Sequence, residues 1–264
     1  MKRTIILGVT LALAAAAWGY LGEIVASYPC PDKSNAYAMT VGDRYVYLYI
    51  TGPFHVYRMD RWTGSVVSSY APAVSGTIAG MAFERGPYLW MHNQGYAPVW
   101  LHRCNEATGS IYSSVPIITQ YCSSIDFETP PGQPVPVRSV LMAVSLGIYG
   151  MHLMRFTTAG SFISSFKTET TWSDVAWDYG NAWMWLPRDI YNPYFYAFDT
   201  HGSFVASFAP TTAAHIPRAL DYYDGYLWVS SNTLTDPHVL VIHCPVLYPT
   251  VSPASVGRIK ALYR

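Results

Sequence analysis

The sequence has little charge and none of the short phrases that mark the large enzyme classes. Charged residues make up 12% of its 264 residues, basic and acidic side chains are equal in number, and no run of like charge occurs. Nucleic-acid binding needs a concentrated basic face, so this composition argues against a nucleic-acid partner. The sequence also lacks a G-x-S-x-G elbow, an H-E-x-x-H helix, a phosphate-binding loop and a dinucleotide fingerprint. These absences weaken the case for several large enzyme classes, but they do not exclude an enzyme whose site is assembled from distant parts of the chain.

Cysteine is scarce and has no metal-site spacing. The four cysteines are Cys30, Cys104, Cys122 and Cys244, and no two of them form a C-x-x-C pair. In an oxidising compartment they allow up to two disulfides in three connectivities, and the sequence favours none of the three.

Long apolar runs are absent after the first twenty residues. Lys2 and Arg3 precede an apolar run from Ile5 to Ala17 and then small residues, the layout of a secretory signal peptide over residues 1–19. The run is shorter than the roughly 20 residues that a membrane-spanning helix needs. We expect a protein that is secreted, periplasmic or on the cell surface, with no membrane span after signal cleavage. An uncleaved anchor is the alternative.

What the sequence does have is a repeat. One phrase returns five times: glycine, a small or polar residue, two apolar residues, serine or alanine, then serine and usually an aromatic residue. Successive copies begin about 42 to 51 residues apart, a period typical of repeat architectures. The copies are GEIVASY from Gly22, GSVVSSY from Gly64, GSIYSSV from Gly109, GSFISSF from Gly160 and GSFVASF from Gly202.

Three further apolar segments recur in register between the phrases, and they read as strands because they are short, β-branched and aromatic, and bounded by turn residues. These three segments occur five times after the first phrase, whereas one copy of the phrase precedes them all and none follows the last. The sequence therefore predicts an all-β, five-bladed β-propeller of four-stranded antiparallel blades, in which the N-terminal strand closes the last blade. The predicted propeller spans residues 20–248, with blades at about 35–73, 77–117, 120–168, 171–210, and 215–247 plus 22–28, followed by a tail at 249–264.

The blade phrasing resembles the secreted propellers related to the NHL, SMP-30-like and YVTN repeats. The resemblance is carried by SDVAWD from Ser173, followed by Gly180-Asn181 and a Trp-Met-Trp strand, and by DGYLWV from Asp224. It covers residues from about 22 to 247 and concerns architecture, since such propellers include binding modules, scaffolds, hydrolases and lyases.

Acidic residues on the innermost strands are the candidate catalytic groups. Asp126, Asp174 and Asp221 lie on three consecutive inner strands, where side chains converge on the central channel. They could hold a divalent cation through oxygen ligands or divide acid and base roles in glycoside cleavage. The structural alternative is that each carboxylate binds backbone amides of the adjacent blade.

Polar and aromatic residues on one face of the ring are the candidate ligand-binding groups. No cofactor is predicted, and the eight histidines are read as structural or surface residues, because those at equivalent positions fall on strands that diverge from the axis. The loops of this face are predicted to present Asn35, Tyr49, His92, Asn93, Trp172, Arg188, His215, Arg218 and Asn232.

Taken together, the sequence favours an exported propeller that acts as a binding or interaction module for a protein or glycan ligand. A carbohydrate-active enzyme using the three acids and a structural component of a cell surface are the alternatives. The tail, which ends SVGRIKALYR, is either a frayed or docked end or a signal read by export or attachment machinery.

Overall fold

Strands and turns make up almost all of the regular structure. The computed structural model describes residues 21–84, 86–93, 99–117, 122–128, 139–145, 151–168, 174–181, 183–187, 194–210, 216–232 and 237–244, with only the backbone at 139–145, 216 and 232. The predicted signal peptide and the predicted C-terminal tail lie outside these ranges. One short 3-10 helix, Pro31–Lys33, is present in them, and no described helix has the length and apolar character needed to cross a membrane.

The strands, in chain order, are β1 (Ile24–Pro29), β2 (Ala36–Val41), β3 (Tyr45–Ile50), β4 (His55–Asp60), β5 (Val66–Tyr70), β6 (Ile78–Glu84), β7 (Tyr88–Asn93), β8 (Val99–Asn105), β9 (Ile111–Ile117), β10 (Cys122–Glu128), β11 (Ser139–Ser145), β12 (Met151–Thr157), β13 (Phe162–Lys167), β14 (Ala176–Asp178), β15 (Trp183–Pro187), β16 (Phe195–Phe198), β17 (Phe204–Phe208), β18 (Ile216–Tyr223), β19 (Tyr226–Asn232) and β20 (His238–His243).

Within the described residues these strands form five four-stranded antiparallel sheets. Four sheets are consecutive in sequence: β2 to β5, β6 to β9, β10 to β13, and β14 to β17. The fifth, here called the closing sheet, has the order β1-β20-β19-β18. The first strands of the sheets contact one another in the cyclic order β2, β6, β10, β14, β18 and back to β2, so they surround a common axis. The prediction of an all-β propeller with four-stranded antiparallel sheets is confirmed.

The closing sheet joins the two ends of the described chain without a covalent turn. Strand β1 pairs antiparallel with β20, as the leading copy of the glycine phrase predicts. The amide of Gly22 donates to the carbonyl of His243 at 3.0 Å, and the amide of His243 donates to the carbonyl of Glu23 at 2.8 Å. The covalent turn between β4 and β5 has the same pair of bonds, from Gly64 to Asp60 and from Asp60 to Ser65. Chain ends and ordinary turns are thus held alike.

The glycine of each phrase is required for two physical reasons. All five phrase glycines have φ between +70° and +87°, a region that costs an L-residue about 1–2 kcal/mol. Each also lies against the outer strand of the preceding sheet. A Cβ on Gly109 would lie 2.6 Å from the ring of Tyr70 and 2.8 Å from the Cα of Pro72, and one on Gly22 would lie 2.8 Å from the carbonyl of Ala209. The phrase therefore sets both the turn and the spacing between neighbouring sheets.

The core lies between the sheets, and the outermost strands leave part of their surface exposed. The recurring tryptophans Trp90, Trp185 and Trp228 are buried, as predicted from their position in the second strand of each repeat. The four cysteines are buried. Each outer strand begins instead with exposed apolar side chains, among them Val66, Tyr112, Phe162 and Phe204.

We expect Gly109→Ala to lower the free energy of unfolding more than Gly225→Ala does. Both glycines have positive φ, at +71° and +84°, but the space around Gly225 is open whereas Gly109 touches the neighbouring sheet. The control variant should therefore cost the backbone strain of about 1–2 kcal/mol, and Gly109→Ala should add an overpacking cost of about 1–3 kcal/mol. Urea unfolding of both variants measures the difference, and equal losses would contradict a spacing role for the phrase.

Candidate functional site

The three inner acids bind backbone amides across the junctions between sheets. Asp126 Oδ2 accepts the amide of Trp177 in the next sheet at 2.5 Å, and its Oδ1 accepts the amide of Phe127. Asp174 likewise accepts the amides of Leu220, in the closing sheet, and Val175. Each carboxylate thus accepts the amide of the next residue in the chain and one amide of the following sheet.

Asp221 completes this pattern at the junction where the ring closes. Its Oδ2 accepts the hydroxyl of Thr40 at 2.7 Å and the amide of Val41 at 2.5 Å, and its Oδ1 accepts the amide of Tyr222. Thr40 in turn accepts the amide of Phe83 in the sheet after it. Four of the five junctions are therefore bridged by an oxygen of an inner side chain, the arrangement that the structural alternative predicts.

The fifth junction, between β6 and β10, is filled by His92 and Cys122. Gly80 leaves room there: a Cβ on it would lie 2.7 Å from the Nε2 of His92 and 2.7 Å from the amide nitrogen of Ile125. The Sγ of Cys122 is 3.5 Å from that Nε2. Burial lowers the pKa of His92 to about 4 and raises the pKa of the Cys122 thiol, so the pair is neutral near pH 7. A thiol without thiolate character is a packing group rather than a nucleophile.

Burial also raises the pKa of all three inner carboxyl groups. The pKa of Asp221 rises from 3.8 to about 6, and the hydrogen bonds from Thr40, Val41 and Tyr222 oppose a larger rise. Burial raises the pKa values of Asp126 and Asp174 further, and the charge of Asp221 adds to the rise in both. The charge of Asp221 therefore affects the ionisation of the other two carboxyl groups. The described residues contain no group of three histidine, cysteine, aspartate or glutamate side chains placed to hold a metal ion.

The predicted ligand face is not assembled as the sequence suggested. Asn35 is exposed and Arg218 and Asn93 are partly exposed, but Tyr49 and His92 are fully buried. Tyr49 packs among the core side chains between the first two sheets. The prediction was wrong for these two because β3 and β7 bury consecutive side chains, as expected of strands covered on both faces by neighbouring sheets. Trp172, Arg188, His215 and the side chain of Asn232 lie outside the described residues.

A cavity lies elsewhere, between the closing sheet and the turn that joins β4 to β5. It measures about 190 Å³, and we call it the closure cleft. Its walls are mostly aromatic and aliphatic. The lining residues are Val25, Ala26, Tyr28, Arg61, Trp62, Tyr223, Asp224, Tyr226, Trp228 and Val241.

Arg61 is the cationic group of the closure cleft and is almost completely buried. Its guanidinium carbon lies 4.1 Å from the ring centre of Tyr223 and 4.5 Å from that of Trp62, so two aromatic faces cover it. Only 8% of Arg61 is exposed, and within the described residues its Nε and Nη1 have no hydrogen-bond partner. No ion pair joins it to a described carboxylate. A buried donor without an acceptor is costly, and more so when it is charged.

Trp62 forms an exposed wall of the cleft and is held in place by its turn. It is 71% exposed. Asp60 Oδ1 accepts the amides of Trp62 and Thr63 at 3.0 and 2.9 Å, and the Tyr28 hydroxyl donates to the Trp62 carbonyl at 3.2 Å. A large aromatic surface is thus fixed in solvent before any ligand arrives.

Trp228 supplies a second donor without a partner. The equivalent indole nitrogens donate to carboxylates, Trp90 to Glu84 at 2.8 Å and Trp185 to Asp178 at 3.2 Å. In the closing sheet the strand register puts Tyr223 where the other sheets have these acids, so the Trp228 nitrogen is buried with no partner in the described residues. The sequence contained this signal, since aligning the repeats shows tyrosine in place of the acid.

Comparisons with known proteins bear on the fold. No known protein family matches the sequence, so the resemblance to the NHL, SMP-30-like and YVTN repeats has no support from a family match, and no curated protein matches either. Among solved structures, the glutaminyl cyclase of Myxococcus xanthus superposes with a TM-score of 0.62 at 9% identity, over 87% of this chain and 100% of that one. The Swd1 β-propeller domain of Myceliophteria thermophila gives 0.49 at 12% identity, over 82% and 98%. At these identities the likeness concerns the fold alone.

We expect the stability of the protein to fall as the pH rises from about 4 to above 6, with Asp221 as one cause. Its pKa is about 6 in the folded protein against 3.8 ordinarily, so the folded state holds the proton more tightly and loses this advantage as the group ionises. Asp221→Asn should reduce the fall. Urea unfolding of both proteins between pH 4 and pH 8 measures this, and an equal fall in the variant would contradict the assignment.

Proposed function

We propose that the protein is an exported β-propeller that acts as a binding module, with the five sheets as the blades of one closed ring. The observation that carries the proposal is the closure cleft. It combines an exposed aromatic wall at Trp62 with three buried donor atoms, Nε and Nη1 of Arg61 and Nε1 of Trp228, that have no acceptor in the described protein. Convergent polar groups in a mostly apolar concavity are the general character of small-ligand sites.

The hydrogen bonds of the inner acids also favour a binding module, because they count against a hydrolytic role. Hydrolysis by a pair of carboxyl groups needs one of them free to donate a proton and the other free to attack or to activate water. Here both oxygens of Asp126 and of Asp221 accept backbone amides. Their position fits the work of holding neighbouring blades together.

We expect the purified protein to bind members of an immobilised oligosaccharide array, and Trp62→Ala to abolish that binding. The matched control is Phe204→Ala, because Phe204 is another exposed aromatic, 59% accessible, on an outer strand away from the cleft. Its removal should leave binding unchanged. If the parent binds nothing on oligosaccharide and peptide arrays, or if Trp62→Ala binds as well as the parent, the proposal fails.

A second candidate is an enzyme, favoured by the shared field of the three inner acids. Carboxyl groups that raise one another's pKa are a frequent feature of active sites, and the fold is also that of the Myxococcus xanthus glutaminyl cyclase. Incubation with N-terminal glutaminyl peptides and with aryl glycosides tests this candidate. Turnover by the parent that is lost in a folded Asp126→Asn variant would favour the enzyme over the binding module.

A further inference from the structure

We infer that the closure cleft binds a sugar ring that carries a carboxylate, such as a uronic acid unit. The inference rests on the proposed function, because it names the ligand of the same site. It follows from comparing residues that line the closure cleft with the residues at equivalent positions in other sheets.

In other copies of the repeat, the last residue of the inner strand carries a carboxylate. In two other sheets a glutamate at the end of the inner strand pairs with an arginine of the third strand. Glu84 accepts two hydrogen bonds from Arg103, at 2.7 and 2.8 Å, and Glu128 forms an ion pair with Arg155. In the closing sheet, the strand pairing puts Tyr223 and Val241 at the corresponding positions. The closing sheet has thus lost both charges of the pair, and the space has become part of the cleft.

The turn after β4 carries a cation where the turn after β8 carries an acid. After β8 the turn carries Glu106, which reaches back to the preceding sheet and accepts the hydroxyl of Tyr47, with Arg58 3.9 Å away. After β4 the same position holds Arg61, which reaches back to Tyr223 in the closing sheet. Arg61 therefore enters a junction where no described carboxylate accepts from its Nε or Nη1, next to the Trp228 indole donor that also lacks an acceptor. An anionic acceptor is what both donors require.

The remaining walls decide what carries that carboxylate. A cavity of about 190 Å³ is little larger than the 150 Å³ void that holds benzene, so one six-membered ring fits. Aromatic faces on Tyr28, Trp62 and Tyr226 suit the flat apolar side of such a ring. A simple cation is disfavoured because it would be repelled by the positive charge of Arg61, which lines the same cleft. Asp224 is an exposed acceptor in the lining, and ring hydroxyls can donate to it whereas an ionised aromatic acid cannot.

The test compares three ligands on the unmodified protein by isothermal titration calorimetry. Trigalacturonic acid is the probe, its methyl ester keeps the ring and removes the charge, and benzoate keeps a charge on a ring without hydroxyls. We expect trigalacturonate to bind roughly 10- to 100-fold more tightly than the ester, the worth of one charged hydrogen bond. Benzoate should bind more weakly than trigalacturonate.

Two variants assign the effect to the cleft. Arg61→Met should bring the affinity for trigalacturonate down to that of the ester, and Trp62→Ala should weaken both saccharides together. If Arg61→Met does not fold, the comparison of acid with ester on the parent still decides the charge, and Arg61→Lys tests the geometry of the donor.

The outcomes separate the inference from the proposed function. Equal affinity of the parent for the acid and the ester would overturn the carboxylate inference and leave a binding module for neutral sugars. Tighter binding of benzoate than of trigalacturonate would overturn the sugar. Saccharide binding that survives Trp62→Ala unchanged would overturn the cleft as the site, and the proposed function with it.

Discussion

Antiparallel pairing between β1 and β20 is the interaction on which the ring depends. A chain of consecutive sheets has two ends, and the last sheet would expose the edge of its third strand if nothing covered it. Strand β1 covers that edge, and the bonds between Gly22, Glu23 and His243 reproduce those of an ordinary turn. This pairing completes the closing sheet, whose first strand β18 contacts both β14 and β2. It is an association within one chain, so it holds without loss of translational freedom, but it can open without breaking a covalent bond.

Hydrogen bonds of the inner side chains also hold neighbouring sheets together, but they require carboxyl groups to be buried, which is costly. Oxygens of Thr40, Asp126, Asp174 and Asp221 bridge four junctions, and burying the carboxylates raises their pKa. Buried carboxyl groups are tolerated when amides satisfy them, and removing one partner leaves the other unsatisfied. The channel acids therefore belong to the architecture first. The departure from the repeat lies at the closing junction, where Tyr223, Val241, Arg61 and Trp62 replace the residues that pair elsewhere, and this departure opens the closure cleft.

The sequence carried most of the information for the fold and little of that for the site. Repetition averages out local ambiguity: five copies of each segment gave the strands, the order of the sheets and the pairing of the leading phrase with the last sheet, and positive φ explains each phrase glycine. Tyr49 and His92 were misplaced because β3 and β7 bury consecutive side chains almost to their ends, which depends on how closely the neighbouring sheets pack on both faces. The cleft was missed because it depends on which residues face one another across two sheets that are distant in sequence. Trp62 and Trp228 become neighbours only when the ring closes.

The most direct measurement is the stability of the chain without residues 22–28, compared with a variant in which the same seven residues follow β20 through a short flexible linker. Closure by β1 predicts that the deletion sharply lowers the free energy of unfolding and exposes the edge of β20 to hydrogen exchange and to self-association. It also predicts that the relocated strand restores stability, because the seven residues can pair with β20 whether they precede the other strands or follow β20 in the sequence. A deletion variant as stable as the parent, with β20 equally protected from exchange, would contradict the account.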